Sequence, residues 1–149
     1  AADSRIGFLN IQKAVSSTKE WKKNFEKFKA NFTKEKQRIK LREKKLKKML
    51  DNLNKTSLVT KPELKKKQEN QFRKEKIEFE RYVQDQNAEF GKQEKEMTQK
   101  ILVKMMKVIK KIGEEKKYTM ILEQKVVLYH DKGNDLTSIA TRAYDRANK

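Results

Sequence analysis

Apolar residues along the chain fall into two long periodic runs bracketed by shorter blocks. Phe25, Phe32, Ile39, Leu46 and Leu53 recur every seven positions. A companion row, Trp21, Phe28, Glu35, Arg42 and Met49, is apolar at its ends and charged in its middle. A seven-residue apolar repeat is the seam of a left-handed coiled coil, so the pattern predicts a helix from about Ser17 to Asn52 with its second row interrupted. Further along, Phe79, Phe90, Ile101 and Ile112 recur every eleven positions, with Val83 and Met105, then Met97 and Val108, in adjacent rows. That period favours a straight or slightly right-handed course and predicts a second helix from about Glu63 to Lys116.

The breaker cluster between them is Asn52-Leu53-Asn54-Lys55-Thr56-Ser57, running on to Thr60-Lys61-Pro62. It places Thr60 as a candidate N-cap and Pro62 in a first turn, with Glu63 at the positive end of the helix dipole. Two helices of about 36 and 54 residues would make rods of roughly 50 and 80 Å. They read as an antiparallel hairpin arm over residues 17–113 with its tip near 53–62. Glu35/Arg42 and Gly91 mark the places where such an arm would bend.

The ends follow another rhythm. Ile6-Gly7-Phe8-Leu9 reads as a short strand, Tyr118-Thr119-Met120-Ile121-Leu122 alternates as a second, and Val126-Val127-Leu128-Tyr129-His130 is a third β-rich run. Glu123-Gln124-Lys125 is the expected turn between the last two. Asp131-Lys132-Gly133-Asn134 is a turn, after which Asp135-Leu136-Thr137 caps a last helix to about Ala147, with Ile139, Ala143 and Tyr144 on one face. The predicted fold class is therefore α+β and mostly α. Residues 1–16 and 114–149 would form a small β-rich body carrying a long helical hairpin. Three short strands and one helix make a poor core alone, so the missing core is expected from identical chains. Ile6, Phe8, Met120, Leu122, Val127, Leu128 and Tyr129 are the candidate oligomerisation residues.

Composition sharpens this picture. Charged residues make up 40% of the 149-residue chain and apolar ones 35%, too polar a balance for one ordinary globule. The net charge is +18, of which residues 12–57 carry +11 and residues 58–112 carry +6. The densest stretch supplies Lys34, Lys36, Arg38, Lys40, Arg42, Lys44, Lys45, Lys47 and Lys48, a basic arm surface. No apolar run approaches the roughly 20 residues that span a bilayer. The opening Ala1-Ala2-Asp3, without Met, is what cleavage after a signal peptide would leave.

Two blocks carry a family resemblance. Arg5-Ile6-Gly7-Phe8-Leu9-Asn10-Ile11-Gln12-Lys13-Ala14 resembles the opening of the mature Skp/OmpH-like periplasmic chaperones. Glu115-Lys116-Lys117-Tyr118 through Ile121-Leu122, Val127-Leu128-Tyr129 and Asp135-Leu136-Thr137 are similar to that family's closing block. The resemblance implies a periplasmic homotrimer with a small β-rich body and three helical arms. It implies an ATP-independent holdase whose cavity keeps unfolded outer-membrane proteins from aggregating. The family often has Gly where Lys117 stands, and Lys is less comfortable in a left-handed helix cap.

Candidate chemistry is otherwise sparse. His130, Asp131 and Ser138 assemble no nucleophile, base and orienting group. One His and no Cys make a weak metal set, and four scattered glycines form no phosphate loop, so no cofactor is expected. The arm's apolar residues carry two readings. They zip the helices together, or some of them (Phe25, Phe28, Phe32, Phe79, Phe90, Met97, Met105 and Met106) touch client segments, where aromatic and Met side chains adapt to varied sequences. The basic surface fits anionic clients, anionic lipid or lipopolysaccharide. Nucleic acid is the rival partner, disfavoured because Lys exceeds Arg by 32 to 7.

Overall fold

The computed structural model describes residues 3–149, so Ala1 and Ala2 lie outside the described residues. The element order is β1 (Ile6–Leu9), α1 (Ile11–Ser16), α2 (Lys19–Thr56), α3 (Pro62–Glu115), β2 (Met120–Glu123), a 3-10 turn (Gln124–Val126) and α4 (Thr137–Ala147). The predicted class holds: the chain is mostly α, with a long helical hairpin and a small two-stranded β part. It divides into two compact units, one ending at Phe28 and resuming at Glu94–Lys149, the other Lys29–Gln93.

In the first unit β1 and β2 pair in parallel, with Ile6 opposite Met120, Gly7 opposite Ile121, Phe8 opposite Leu122 and Leu9 opposite Glu123. Side chains alternate across a strand, so Ile6, Phe8, Met120 and Leu122 share one face while Gly7, Leu9 and Ile121 share the other. The second face covers the core, where Leu9, Ala14, Val15, Ile101, Met105, Ile112, Leu136, Ala140 and Tyr144 are buried together. Gly7 is required there: a Cβ would sit 2.6 Å from Leu136 Cδ1 and 3.0 Å from Tyr118 Cε1.

Several ends of elements are fixed by side chains. Asn10 caps α1, its Oδ1 accepting from Lys13 N at 3.0 Å. Thr18 Oγ1 accepts from Trp21 N at 3.2 Å at the start of α2. Asp135 Oδ1 accepts from Thr137 N at 3.0 Å and from Thr137 Oγ1 at 2.6 Å, folding the entry to α4. Those hydrogen bonds, against the cost of burial, hold the Asp135 carboxyl below its ordinary range. α1 was not legible in the sequence because its Asn10 cap is followed by only six helical residues.

The C-terminus of α3 closes in a Schellman motif, Tyr118 N donating to Gly113 O at 2.9 Å and Lys117 N to Glu114 O at 3.4 Å. Lys117 takes a left-handed position, φ 57°, a conformation that favours Gly. Arg5 reinforces this end: its Nη1 donates to Lys116 O at 2.7 Å while its guanidinium lies 4.3 Å from the Tyr118 ring centroid. A cation beside the last carbonyls of a helix also opposes the negative end of the dipole.

Two expectations need correction. Val126–His130 is not a strand: Val126 ends the 3-10 turn that replaces the expected turn at Glu123-Gln124-Lys125, and Val127–His130 has no regular pairing. Among the described residues the run joins no ladder, and the edge of β1 away from β2 takes a single bridge, from Phe8 to Asp135. Thr60 is not the cap of α3. Its Oγ1 donates backward to Thr56 O at 2.7 Å, and Lys61 O accepts the first turn's bond from Lys65 N at 2.9 Å.

The second unit is the α2–α3 hairpin over Lys29–Gln93, turned through Ser57–Lys61. Ile39, Leu46, Met49 and Leu53 on α2 are half-buried. On α3 the half-buried positions of this unit are Lys65, Phe72, Glu75, Phe79, Tyr82, Val83, Gln86 and Phe90. Their spacing of three and four is a heptad pattern, so within this unit α3 follows the period of its partner. The eleven-residue count still marks inward positions, since Phe79 and Phe90 are half-buried here and Ile101 and Ile112 are buried in the first unit.

Candidate functional site

Two surfaces carry chemistry that the fold leaves unspent, one on each unit. On the first unit it is the outward face of the β1–β2 sheet with the segment that follows. Ile6, Met120 and Leu122 are exposed there, as are Val126, Leu128 and Tyr129. Leu128 and Tyr129 have almost no packing, at 105% and 87% of full exposure. Val127 is half-buried, and Phe8 is buried under the His130 ring, whose centroid lies 3.9 Å away. His130 Nδ1 is 2.7 Å from the Asp131 main-chain carbonyl, while the Asp131 carboxylate accepts from Gly133 N. The pair is thus a turn and a lid on Phe8, with no acid–base geometry between the two side chains.

On the second unit the nine basic residues from Lys34 to Lys48 are all exposed. Among the described residues one ion pair forms in that stretch, Arg38 to Glu35 at 3.5 Å. The charge is therefore presented to solvent almost unneutralised. Glu35 also accepts from the Tyr82 hydroxyl. Arg42 lies over the Tyr82 ring at 4.6 Å and the Phe79 ring at 5.8 Å, within cation–π range. The charged gap in the heptad row is thus filled by a polar–aromatic cluster. Glu35 and Arg42 looked like a break because their partners lie on α3, 47 positions on in the case of Tyr82.

The remaining candidate contact residues sort by exposure. Phe32 is exposed and meets the half-buried Phe90 edge-on, with centroids 5.3 Å apart. Phe25 and Phe28 are half-buried in the first unit, where Phe25 stacks on Trp21 at 4.7 Å. Met97 is half-buried and Met106 is exposed at 52%. Met105 needs correction: it is wholly buried in the core and presents nothing to a client. Adjacent residues on a helix point about 100° apart, which is how one methionine faces the core and its neighbour faces water.

A second polar cluster was also missed. Glu20 accepts from the Tyr144 hydroxyl and from Lys104 Nζ at 3.0 Å, tying α2, α3 and α4 together within the first unit. Burial alone would raise the Glu20 pKa, but the hydrogen bonds from Tyr144 and Lys104 outweigh it and the pKa is lowered. Burial and the Glu20 carboxylate push the Tyr144 phenol up. Among the described residues no group of three or more acidic, His or Cys side chains could hold a metal ion. No helix among them is long and apolar enough to cross a membrane.

Comparison with known proteins adds the following. A protein-family model described as outer membrane protein (OmpH-like) matches residues 5–143. No curated protein matches the chain. Among solved structures, a candidate outer membrane chaperone (OmpH-like) from Caulobacter crescentus aligns at a TM-score of 0.86. It is 14% identical, over 99% of this chain and 87% of that one. At that identity the likeness shows the fold alone.

Proposed function

This chain belongs to the OmpH-like family of outer membrane proteins, and from that premise we propose that it is an ATP-independent holdase chaperone. Three copies would join through the first unit. Their α2–α3 hairpins would enclose a periplasmic cavity that keeps unfolded outer-membrane β-barrel proteins from aggregating. The relative from Caulobacter crescentus, described as a candidate outer membrane chaperone, points the same way.

The observation that carries the reading is the apolar surface left open on a unit too small to spare it. Ile6, Met120 and Leu122 lie exposed on one face of a two-stranded sheet, and Val126, Leu128 and Tyr129 are exposed in the segment that follows it. A pair of strands is marginal alone, and burying a large apolar side chain contributes about 1.5–3 kcal/mol. Identical chains are the partner most consistently present to cover such a face, and the Val127–His130 run would find its missing ladder there. The basic hairpin surface would attract acidic client segments at long range. Phe32, Phe90 and Met106 would then hold them by weak, repeated apolar contacts, multiplied by the three copies.

The test of the assembly is molar mass by light scattering. A trimer supports the reading, and Leu128→Asp with Tyr129→Asp should shift it toward monomer. A dimer of extended helices that binds duplex DNA tightly at physiological salt would replace it with a nucleic-acid-binding scaffold.

A further inference from the structure

Glu20 and Lys104 stand in the wall of a third surface, a polar groove of about 900 Å³ within the first unit, where α2, α3 and α4 meet. Its basic lining is Lys19, Lys23 and Lys27 from α2, Lys104 from α3, Arg146 from α4 and Lys149 just beyond it, all exposed. Its two acids are engaged by the protein itself. Glu20 accepts from Lys104 and Tyr144, and Asp145 Oδ1 accepts from Lys19 N at 3.0 Å. Among the described residues Lys23, Lys27, Arg146 and Lys149 enter no ion pair. Lys19 is the first residue of α2, so the positive end of that helix dipole adds to the charge.

The lining decides which anion fits. Among the described residues its one apolar side chain is Ala147, so nothing there receives an acyl chain or an apolar client segment. No aromatic side chain lines it either, and single-stranded nucleic acid is held by bases stacked on such rings. What remains is a row of cations at a fixed interval. Lys19, Lys23 and Lys27 follow each other by four helical positions, a spacing of about 6 Å along the axis. In an extended peptide every second side chain points the same way, at intervals of about 6.6 Å. Carboxylates at alternate positions of such a peptide therefore meet the three ammonium groups in turn, and the flexible lysine stems absorb the small mismatch.

We propose that this groove docks an acidic, extended segment of a partner protein, with carboxylates at alternate positions paired to Lys19, Lys23 and Lys27 and further acidic groups met by Arg146 and Lys149. The contact is weak and salt-sensitive, since every pair in it is open to solvent. The groove contains no residue of the sheet face and none of the hairpin's exposed basic surface, so the proposal stands or falls separately from the holdase reading.

The test is fluorescence anisotropy of a labelled peptide, Thr-Glu-Thr-Glu-Thr-Glu-Thr, titrated with the full chain at physiological salt. An isomer with its acidic residues adjacent, Thr-Thr-Glu-Glu-Glu-Thr-Thr, has the same charge but turns its middle carboxylate away from the row. The alternating peptide should bind about fivefold tighter than the isomer. Lys23→Gln with Lys27→Gln, at unchanged helix content, should weaken its binding about tenfold and leave suppression of client aggregation unchanged. Lys44→Gln with Lys48→Gln removes the same charge from the hairpin and should leave the affinity for the peptide as it was. Three results would overturn the proposal. Equal affinity for the two peptides, or an equal loss from the hairpin pair, would mean attraction by net charge alone. Absence of binding at physiological salt would remove the site. Binding of phosphatidylglycerol vesicles or a single-stranded oligonucleotide that displaces the peptide, and that Lys23→Gln with Lys27→Gln abolishes, would assign the groove to a lipid surface or a nucleic acid instead.

Discussion

The hydroxyl of Tyr82 on α3 donates to the carboxylate of Glu35 on α2, at the point where the heptad row of α2 turns from apolar to charged. A carboxylate facing the seam would be costly if unpaired. The Tyr82 ring also lies under Arg42, so one residue satisfies both members of the apparent gap.

A double-mutant cycle tests that cluster. Tyr82→Phe keeps the ring under Arg42 and loses the hydrogen bond, at a cost of about 1 kcal/mol. Glu35→Leu alone strands the Tyr82 hydroxyl and costs a similar amount. The double variant should recover most of the loss, because it extends the apolar seam. Additive losses in urea denaturation would show that the two side chains do not depend on each other.

Lys117 pays the cost of a left-handed backbone position without the freedom of Gly. Lys117→Gly should therefore stabilise the protein by about 1 kcal/mol. Gly7→Ala should do the reverse, by about 2 kcal/mol, since its Cβ would collide with Leu136. Denaturation midpoints measure both.

Met105 and Met106 separate core from surface at adjacent positions. Met105→Ala should cost about 2–5 kcal/mol, while Met106→Ser should stay within about 0.5 kcal/mol. If Met106 is a client contact, its Ser variant will hold a denatured substrate less well at undiminished stability.

Acid should weaken the first unit through Glu20 and Asp135. Both carboxyls have folded pKa values below their ordinary ones. Their contribution is therefore present above the ordinary carboxylate range and lost as pH falls through the lowered values. Glu20→Gln should lower the thermal midpoint at pH 7 and converge with the unaltered chain toward the acid end. A difference that stays constant with pH would contradict the assigned role.

Local patterns in the sequence revealed the long helices, β1, β2 and α4, because period, caps and breakers are properties of neighbouring residues. What escaped detection depended on distant partners. Glu35 and Arg42 read as a flaw until α3 placed Tyr82 opposite them. Met105 read as a contact residue because a period cannot tell a core face from a cavity face. The Val126–His130 run has strand composition but joins no ladder among the described residues, and composition does not report a partner.

The central claim is that this chain holds unfolded β-barrel proteins without an energy source. Its most direct test is the turbidity of a urea-denatured outer-membrane barrel diluted into buffer with three chains of the protein per barrel and no nucleotide. The account predicts suppressed turbidity, weakened by salt as the basic hairpin surface is screened. Turbidity that rises as fast as in buffer alone would contradict it.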